Sequence, residues 1–414
     1  MLVHPSDLRG YTRLAIAAIT GLTETVELMH HNISRFPLIF GRPTQRRIGG
    51  IPGLVYGSIR GITRIAGGAV DMALGPIVPA LAAMMEEPNA SSPEREALLA
   101  AINGVSGDYL AKSGNPMTIS MQVRRGGHPL PPEAEALARA IPSPQNKLLI
   151  MVHGLCRNDL QWTRKGHDHG AAIARDLGYS VVYLHYNTGL HVSENGESFA
   201  GIIKALAENW PVPVEELAII GHSLGGLVAR SACHYGALCG HGWLKKLKKL
   251  VFLGTPHHGT TAERMGNRLE LVLGISPYSA SLARLGSIRS AGITDLRYGS
   301  ITRGDWEGTD RFAHKKDRRI PVPLPENTIC YAIGATIGKK EYKRGRFLNC
   351  DGLVPLDSAL GRHKDPALTL NFPESRQWVK HGISHFDMLN HPDVYEKIKE
   401  FMNTGESAGT PHSP

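Results

Sequence analysis

Gly221-His222-Ser223-Leu224-Gly225 is the stretch of this chain whose residue types and spacing could do chemistry most directly. The apolar run Ala218-Ile219-Ile220 leads into it and Leu227-Val228 follows, so the serine stands where a buried strand turns into a helix. At such a turn the backbone must take strained angles that lift the hydroxyl above the sheet. Gly221 and Gly225 remove the bulk that would block it. A helix beginning at Leu224 has no carbonyl four residues back for its first amides, which leaves the Leu224 N–H as a donor for a developing oxyanion.

A serine hydroxyl becomes a useful nucleophile only when a histidine takes its proton and a carboxylate fixes that histidine's tautomer. With a strand–elbow–helix the order along the chain is serine, acid, histidine, each partner in a loop after a later strand. Asp351, in Asp351-Gly352-Leu353-Val354-Pro355, is the expected acid, and Asp357 is its reserve. His385, in Gly382-Ile383-Ser384-His385-Phe386, is the expected base, with His381 as competitor at the strand end itself. The second oxyanion donor is expected from the loop after an earlier strand, at the amide of Leu155, where Gly154 allows a close turn. His153 reads as a loop-bonding residue, His222 as part of the elbow, and His257 and His258 as pocket wall.

The elements needed to position these groups can be read from apolar runs spaced by helical periodicity. Strands are expected at 117–123, 148–152, 181–184, 217–220, 249–254, 328–333 and 376–380, the first of them at a sheet edge. Helices are expected at 161–177, 196–209 and 392–402, with a shorter one inside 131–144. Strands alternating with helices give a parallel sheet with right-handed crossovers. The 70 or so residues between the strands at Val251 and Ile329 exceed any ordinary connection. They read as a lid insertion at about 257–326, helical at Leu269–Leu273 and Ser279–Leu285.

Residues 1–90 differ from the rest. Leu8, Tyr11, Leu14, Ala18 and Leu22 mark one face of a first helix, and Gly53, Gly57 and Gly61 recur four apart in a second. The uncharged run from Met72 to Met85 is shorter than the ~20 residues a bilayer crossing needs and holds Pro76 and Pro79, so a transmembrane span is rejected. Two readings stay open: a helical cap on the core, or a region that docks on an anionic membrane surface. Ser92-Pro93 suits the start of the next helix, through Leu98, Leu99 and Ile102. Residues 91–402 then form the main domain and 403–414 a frayed tail.

The 414 residues are 42% hydrophobic with 46 glycines and 27 prolines, which suits a loop-rich enzyme better than a helical bundle. Five cysteines without a C-x-x-C indicate neither a zinc site nor a disulfide framework, and no carboxylate cluster calls for calcium, so neither metal nor cofactor is expected. Reduced thiols and an N-terminus without signal-peptide character place the protein in the cytoplasm. A net charge of +9 includes the runs Lys245-Lys246-Leu247-Lys248-Lys249 and Lys315-Lys316-Asp317-Arg318-Arg319. They read as solvated charge, with contact to anionic lipid headgroups as the alternative. No nucleic-acid motif accompanies them, and nucleic acid is not expected as a partner.

Val152-His153-Gly154-Leu155, Gly221-His222-Ser223-Leu224-Gly225-Gly226, Gly254-Thr255-Pro256-His257-His258-Gly259, Asp351-Gly352-Leu353-Val354-Pro355 and Ser384-His385-Phe386 together resemble the α/β-hydrolase superfamily. Within it they are similar to the lipases and the lipase-like GPI inositol-deacylase group. The resemblance spans about residues 116–402 and implies a mostly parallel sheet flanked by helices and a cofactor-free serine esterase or lipase. That enzyme would cleave a lipid or small-molecule ester through an acyl-enzyme. Residues 1–90 depart from the lipase pattern. The alternatives are an acyltransferase or thioesterase using the same three residues, and a non-catalytic lipid- or protein-binding module on the same scaffold.

Overall fold

The computed structural model describes residues 91–260, 289–310, 317–339 and 349–404, together with parts of 7–20 and 57–72. Its centre is an eight-stranded sheet in the order β2-β1-β4-β3-β5-β6-β7-β8. The strands are β1 Gln122–Arg125, β2 His128–Pro129, β3 Lys147–Val152, β4 Ser180–His185, β5 Glu216–His222, β6 Leu247–Leu253, β7 Ile329–Thr336 and β8 Gln377–His381. β1 runs antiparallel to both β2 and β4. All pairings from β4 through β8 are parallel. This is the mostly parallel sheet flanked by helices that the sequence predicts.

A parallel sheet needs both faces covered, so its strands must be apolar throughout. β3 meets that demand. Leu148, Ile150 and Val152 enter one core layer with Phe199 and Ile203 of helix α4 (Val192–Asn209) and Leu227 and Val228 of α5 (Leu224–Leu238). Leu149 and Met151 face the other layer, with Ala172 and Ile173 of α3 (His169–Leu177) and Val394, Ile398 and Phe401 of α8 (Pro392–Asn403). Further helices among the described residues are α1 (Pro93–Lys112), α2 (Ala134–Ala140), α6 (Ala291–Asp295) and α7 (Leu356–Ala359).

Three sequence expectations shift. The strand expected at 117–123 starts only at Gln122, where pairing with His185 begins. The helix expected at 161–177 splits into a 3₁₀ turn, Asp159–Trp162, and α3. Lys165 and Gly166 both have positive φ between them, and the Asp168 side chain caps the new start by accepting from Ala171 N at 2.9 Å. Lys249, read as solvated, is buried in β6, where its ammonium donates to Met402 O at 2.5 Å and pairs with Glu216 at 3.2 Å. The helices expected at Leu269–Leu273 and Ser279–Leu285, Lys315 and Lys316, and the tail from residue 405 lie outside the described residues.

The chain divides into two compact units, one of 1–96, 110–118 and 284–287 and one of 97–109, 119–283 and 288–414. In the first, residues 9–17 are helical. Arg95 clamps the buried Asp7 carboxylate with two bonds of 2.7 Å, and Asn115 donates to Gly10 O at 3.2 Å. Ser92 caps α1 by accepting from Arg95 N at 3.2 Å. The second unit carries the whole sheet. Among the described residues no helix is long and apolar enough to cross a membrane.

Candidate active site

At the C-terminal end of β5 the backbone turns at Ser223 with φ 54° and ψ −125°, one of three non-glycine residues with positive φ among those described. Such strain persists only where surrounding contacts enforce it. Here Ser223 N donates to Leu253 O of β6 at 2.9 Å, and α5 begins at the next residue. The two flanking glycines serve close packing as well as the turn. A Cβ on Gly225 would lie 2.2 Å from Val152 O and 2.5 Å from His153 O, and one on Gly221 would lie 2.6 Å from Gly226 Cα. Helix α5 therefore starts against the end of β3, with no room for a side chain. Gly154 fits similarly, since a Cβ there would meet Ser223 Cβ at 3.0 Å.

Asp351 and His385 come from different loops and meet. His385 Nδ1 is 2.6 Å from Asp351 Oδ2, and both side chains are at most 2% exposed. The other carboxylate oxygen, Oδ1, accepts from the amides of Leu353 at 2.9 Å and Val354 at 2.7 Å. With one oxygen held by backbone, the acid can present only the other to the imidazole. The two loops are also joined through the main chain, His385 N donating to Asp351 O at 2.8 Å. The Asp351 segment returns to the sheet because Ile337 N, just past β7, donates to Cys350 O at 2.8 Å.

One cleft gathers Ser223 and His385. Ser223, His385, Gly154, Leu155 and His222 line it with Pro256, Thr260, Leu296, Leu353, Val354, Phe386 and Arg157. Most of that lining is apolar. The Leu155 amide has no acceptor among the described residues, and the Leu224 amide opens α5. After Leu155 the chain turns at Cys156, φ 57°, whose amide donates to Thr188 Oγ1 at 3.2 Å.

His222 is 1% exposed, and burial together with the neighbouring His385 pushes its pKa well below the usual imidazole range. The neutral ring lies against His385, centroids 4.5 Å apart, with its Nε2 3.2 Å from His385 O. It steadies the His385 loop. His153 stacks on Tyr186 at 4.5 Å and places Nδ1 3.0 Å from Gly154 O. Burial pushes it down to about 3.

His257 and His258 are not in this cleft. They line a separate cavity of about 300 Å³ with Arg230, Asp305 and Arg319. Burial and Arg230 push His257 well below its usual range. Asp357 is solvent-exposed, 3.9 Å from Arg362, and His381 Nδ1 sits 2.8 Å from Thr336 Oγ1. Neither takes the place of Asp351 or His385.

Two contributors went unread in the sequence. A Cβ on Gly254, φ 54°, would come within 3.0 Å of both Cε1 and Nδ1 of His385, so this glycine makes the floor under the imidazole. Its position directly after β6 was the available signal. Arg157, two residues beyond Leu155, is the second, and it contributes a charge to a mostly apolar wall.

A family model described as PGAP1-like alpha/beta domain matches residues 183–321, the stretch that runs from β4 through the elbow and β6 into the insertion. The chain has an α/β-hydrolase fold, a mostly parallel sheet flanked by helices. No curated protein matches the chain. Among solved structures it is similar to a mature lipase of Bacillus licheniformis at 17% identity, over 68% of this chain and 98% of that one, with a TM-score of 0.38. It is also similar to lipase B of Aspergillus fumigatus at 16% identity, over 66% and 58%, TM-score 0.36. An esterase of Pyrococcus furiosus matches at 15% identity, over 62% and 83%, TM-score 0.37.

Proposed function

We propose that the protein is a serine carboxylic ester hydrolase in which Ser223, His385 and Asp351 act as nucleophile, base and orienting acid. The observation that carries this reading is the 2.6 Å contact between buried Asp351 and His385, a residue that lines one cleft together with Ser223 on its strained elbow. With Nδ1 bonded to the carboxylate, the imidazole keeps Nε2 for proton transfer. The Ser223 oxygen attacks the ester carbonyl as His385 takes its proton. The Leu155 and Leu224 amides hold the oxyanion. Collapse expels the alcohol, which leaves with the proton from His385, and a water then repeats the cycle on the acyl-enzyme. The apolar walls suit an acyl chain. No metal or cofactor enters this scheme.

In the same proposal residues 91–402 are the hydrolase domain and 257–326 its cover, supported by Thr260 and Leu296, which belong to that stretch and line the cleft. Cytoplasmic residence also belongs to the proposal, with residues 1–90 as a helical cap or, in the alternative, a region that docks on anionic membrane.

Ser223→Ala is the test. The variant should lose turnover of p-nitrophenyl butyrate and labelling by a fluorophosphonate, with an unchanged circular dichroism spectrum. Turnover retained in the folded variant overturns the reading.

A further inference from the structure

Arg157 has no counterpart in the scheme above. Its guanidinium carbon lies 4.4 Å from the centre of the Phe386 ring, and its side chain lines the cleft with Ser223 and His385. No carboxylate among the described residues pairs with it. Asp387, which follows Phe386 in the chain, is engaged by Arg164 at 3.4 Å. Arg157 is thus a half-buried cation facing a largely apolar cleft, stacked on the residue that follows His385.

Its backbone is held on both sides. Upstream is the Cys156 turn, tied to Thr188, and downstream Asn158 and Gln161 cap the 3₁₀ turn reciprocally. An arginine kept for packing alone would normally find a carboxylate or backbone carbonyls to offset its desolvation. Burial and the nearby Arg164 instead push its pKa down to about 10, so the ion remains charged at neutral pH with no compensating carboxylate among the described residues. Its planar fork suits carboxylate or phosphate oxygens.

We infer that Arg157 is a specificity-determining residue, and that the ester cleaved here carries an anionic group, carboxylate or phosphate, a few bonds from the scissile carbonyl. The inference rests on the hydrolase reading above. Ion pairing with Arg157 would supply the counter-charge that no described residue provides and hold the ester against Ser223. Because Arg157 and the serine share one small cleft, the anion belongs to the reacting portion of the substrate.

Two matched pairs locate the anion. Mono-p-nitrophenyl succinate against p-nitrophenyl butyrate puts a carboxylate on the acyl side, and butyryl-glycerophosphate against butyrylglycerol puts a phosphate on the alcohol side. The full-length protein should favour the anionic member of at least one pair in kcat/KM. In Arg157→Gln that preference should fall roughly tenfold to a hundredfold, the scale of a lost charge-assisted hydrogen bond. Arg157→Lys should retain part of it. The ratio within a pair is read whatever happens to the absolute rate.

Absence of any anionic preference in the full-length protein overturns the inference. So does an Arg157→Gln variant that slows both members of each pair equally, which would make Arg157 a support for the His385 loop or a donor to the oxyanion. In both cases cleavage of the neutral esters and fluorophosphonate labelling leave the hydrolase reading standing. A protein that cleaves none of the four esters and takes no label overturns both.

Discussion

His385 and His257 are both buried imidazoles just past strand ends, at 2% and 0% exposure, and they sit in opposite electrostatic company. His385 has a carboxylate at 2.6 Å and opens on a cleft with a serine. His257 Nδ1 lies 3.4 Å from a guanidinium nitrogen of Arg230, and its carbonyl accepts from Arg319 at 2.9 Å. A cation beside an imidazole disfavours its charged form, whereas a carboxylate stabilises it. The same residue type therefore becomes a candidate base in one place and a neutral packing group in the other. Partner and access, rather than the histidine itself, decide.

The largest contrast should come from removing each ring. His385→Ala should lower kcat on p-nitrophenyl butyrate by about 10⁴ to 10⁶, the scale of losing a member of such a triad. His257→Gln should lower the melting temperature while keeping kcat within about tenfold. Comparable losses of kcat would erase the distinction.

The acids sharpen it next. Asp351→Asn should reduce kcat by about 10⁴, because the amide no longer fixes the imidazole tautomer. Asp317 holds Arg319 beside His257 with bonds of 2.9 and 3.0 Å, and Asp317→Asn should show its effect in stability, with little in kcat. A pH-jump or steady-state assay on the two variants at matched folding separates the outcomes.

Gly225→Ala tests the scaffold. Its Cβ would sit 2.2 Å from Val152 O, so β3 or α5 must shift, at a cost of about 1 to 3 kcal/mol visible in urea unfolding. Acidification should weaken the fold more gradually. Burial pushes His153 down to about 3 and His169 and His258 down to about 4. In the unfolded chain these rings take protons near 6.5. From about pH 6.5 down to about pH 4 the unfolded state binds more protons, so stability falls as pH falls through that window. The urea midpoint should be lower at pH 5 than at pH 7.5, and a higher midpoint at pH 5 would contradict the assignment of these rings as buried and neutral.

Much of this arrangement was legible before any coordinates. The strands at 148–152 and 217–220 are apolar on every residue because two core layers flank them, and a run of that kind announces a doubly covered sheet. Ser223, Asp351 and His385 could be proposed because each follows a strand in the order the topology requires. Legibility failed where a distant partner sets the outcome. Nothing near Lys249 announces that Glu216 and Met402 lie across the sheet to receive it. The Thr255-Pro256-His257-His258 turn sends its proline to the cleft and its histidines to the cavity with Arg230, a choice made by tertiary packing. Arg157 was hidden because its place in the cleft, stacked on Phe386 with no carboxylate partner among the described residues, is set by tertiary packing that local sequence does not record.

The segment that pins Asp351 also has a second face. Leu353 and Val354 lend their amides to the carboxylate while their side chains form cleft wall. Reshaping that wall to admit a different acyl group would tug on the peptide units that aim the acid. Changes in what the protein accepts and in how fast it turns over are thereby mechanically linked, and variants selected for a new substrate at these two positions should need compensation elsewhere before they recover speed.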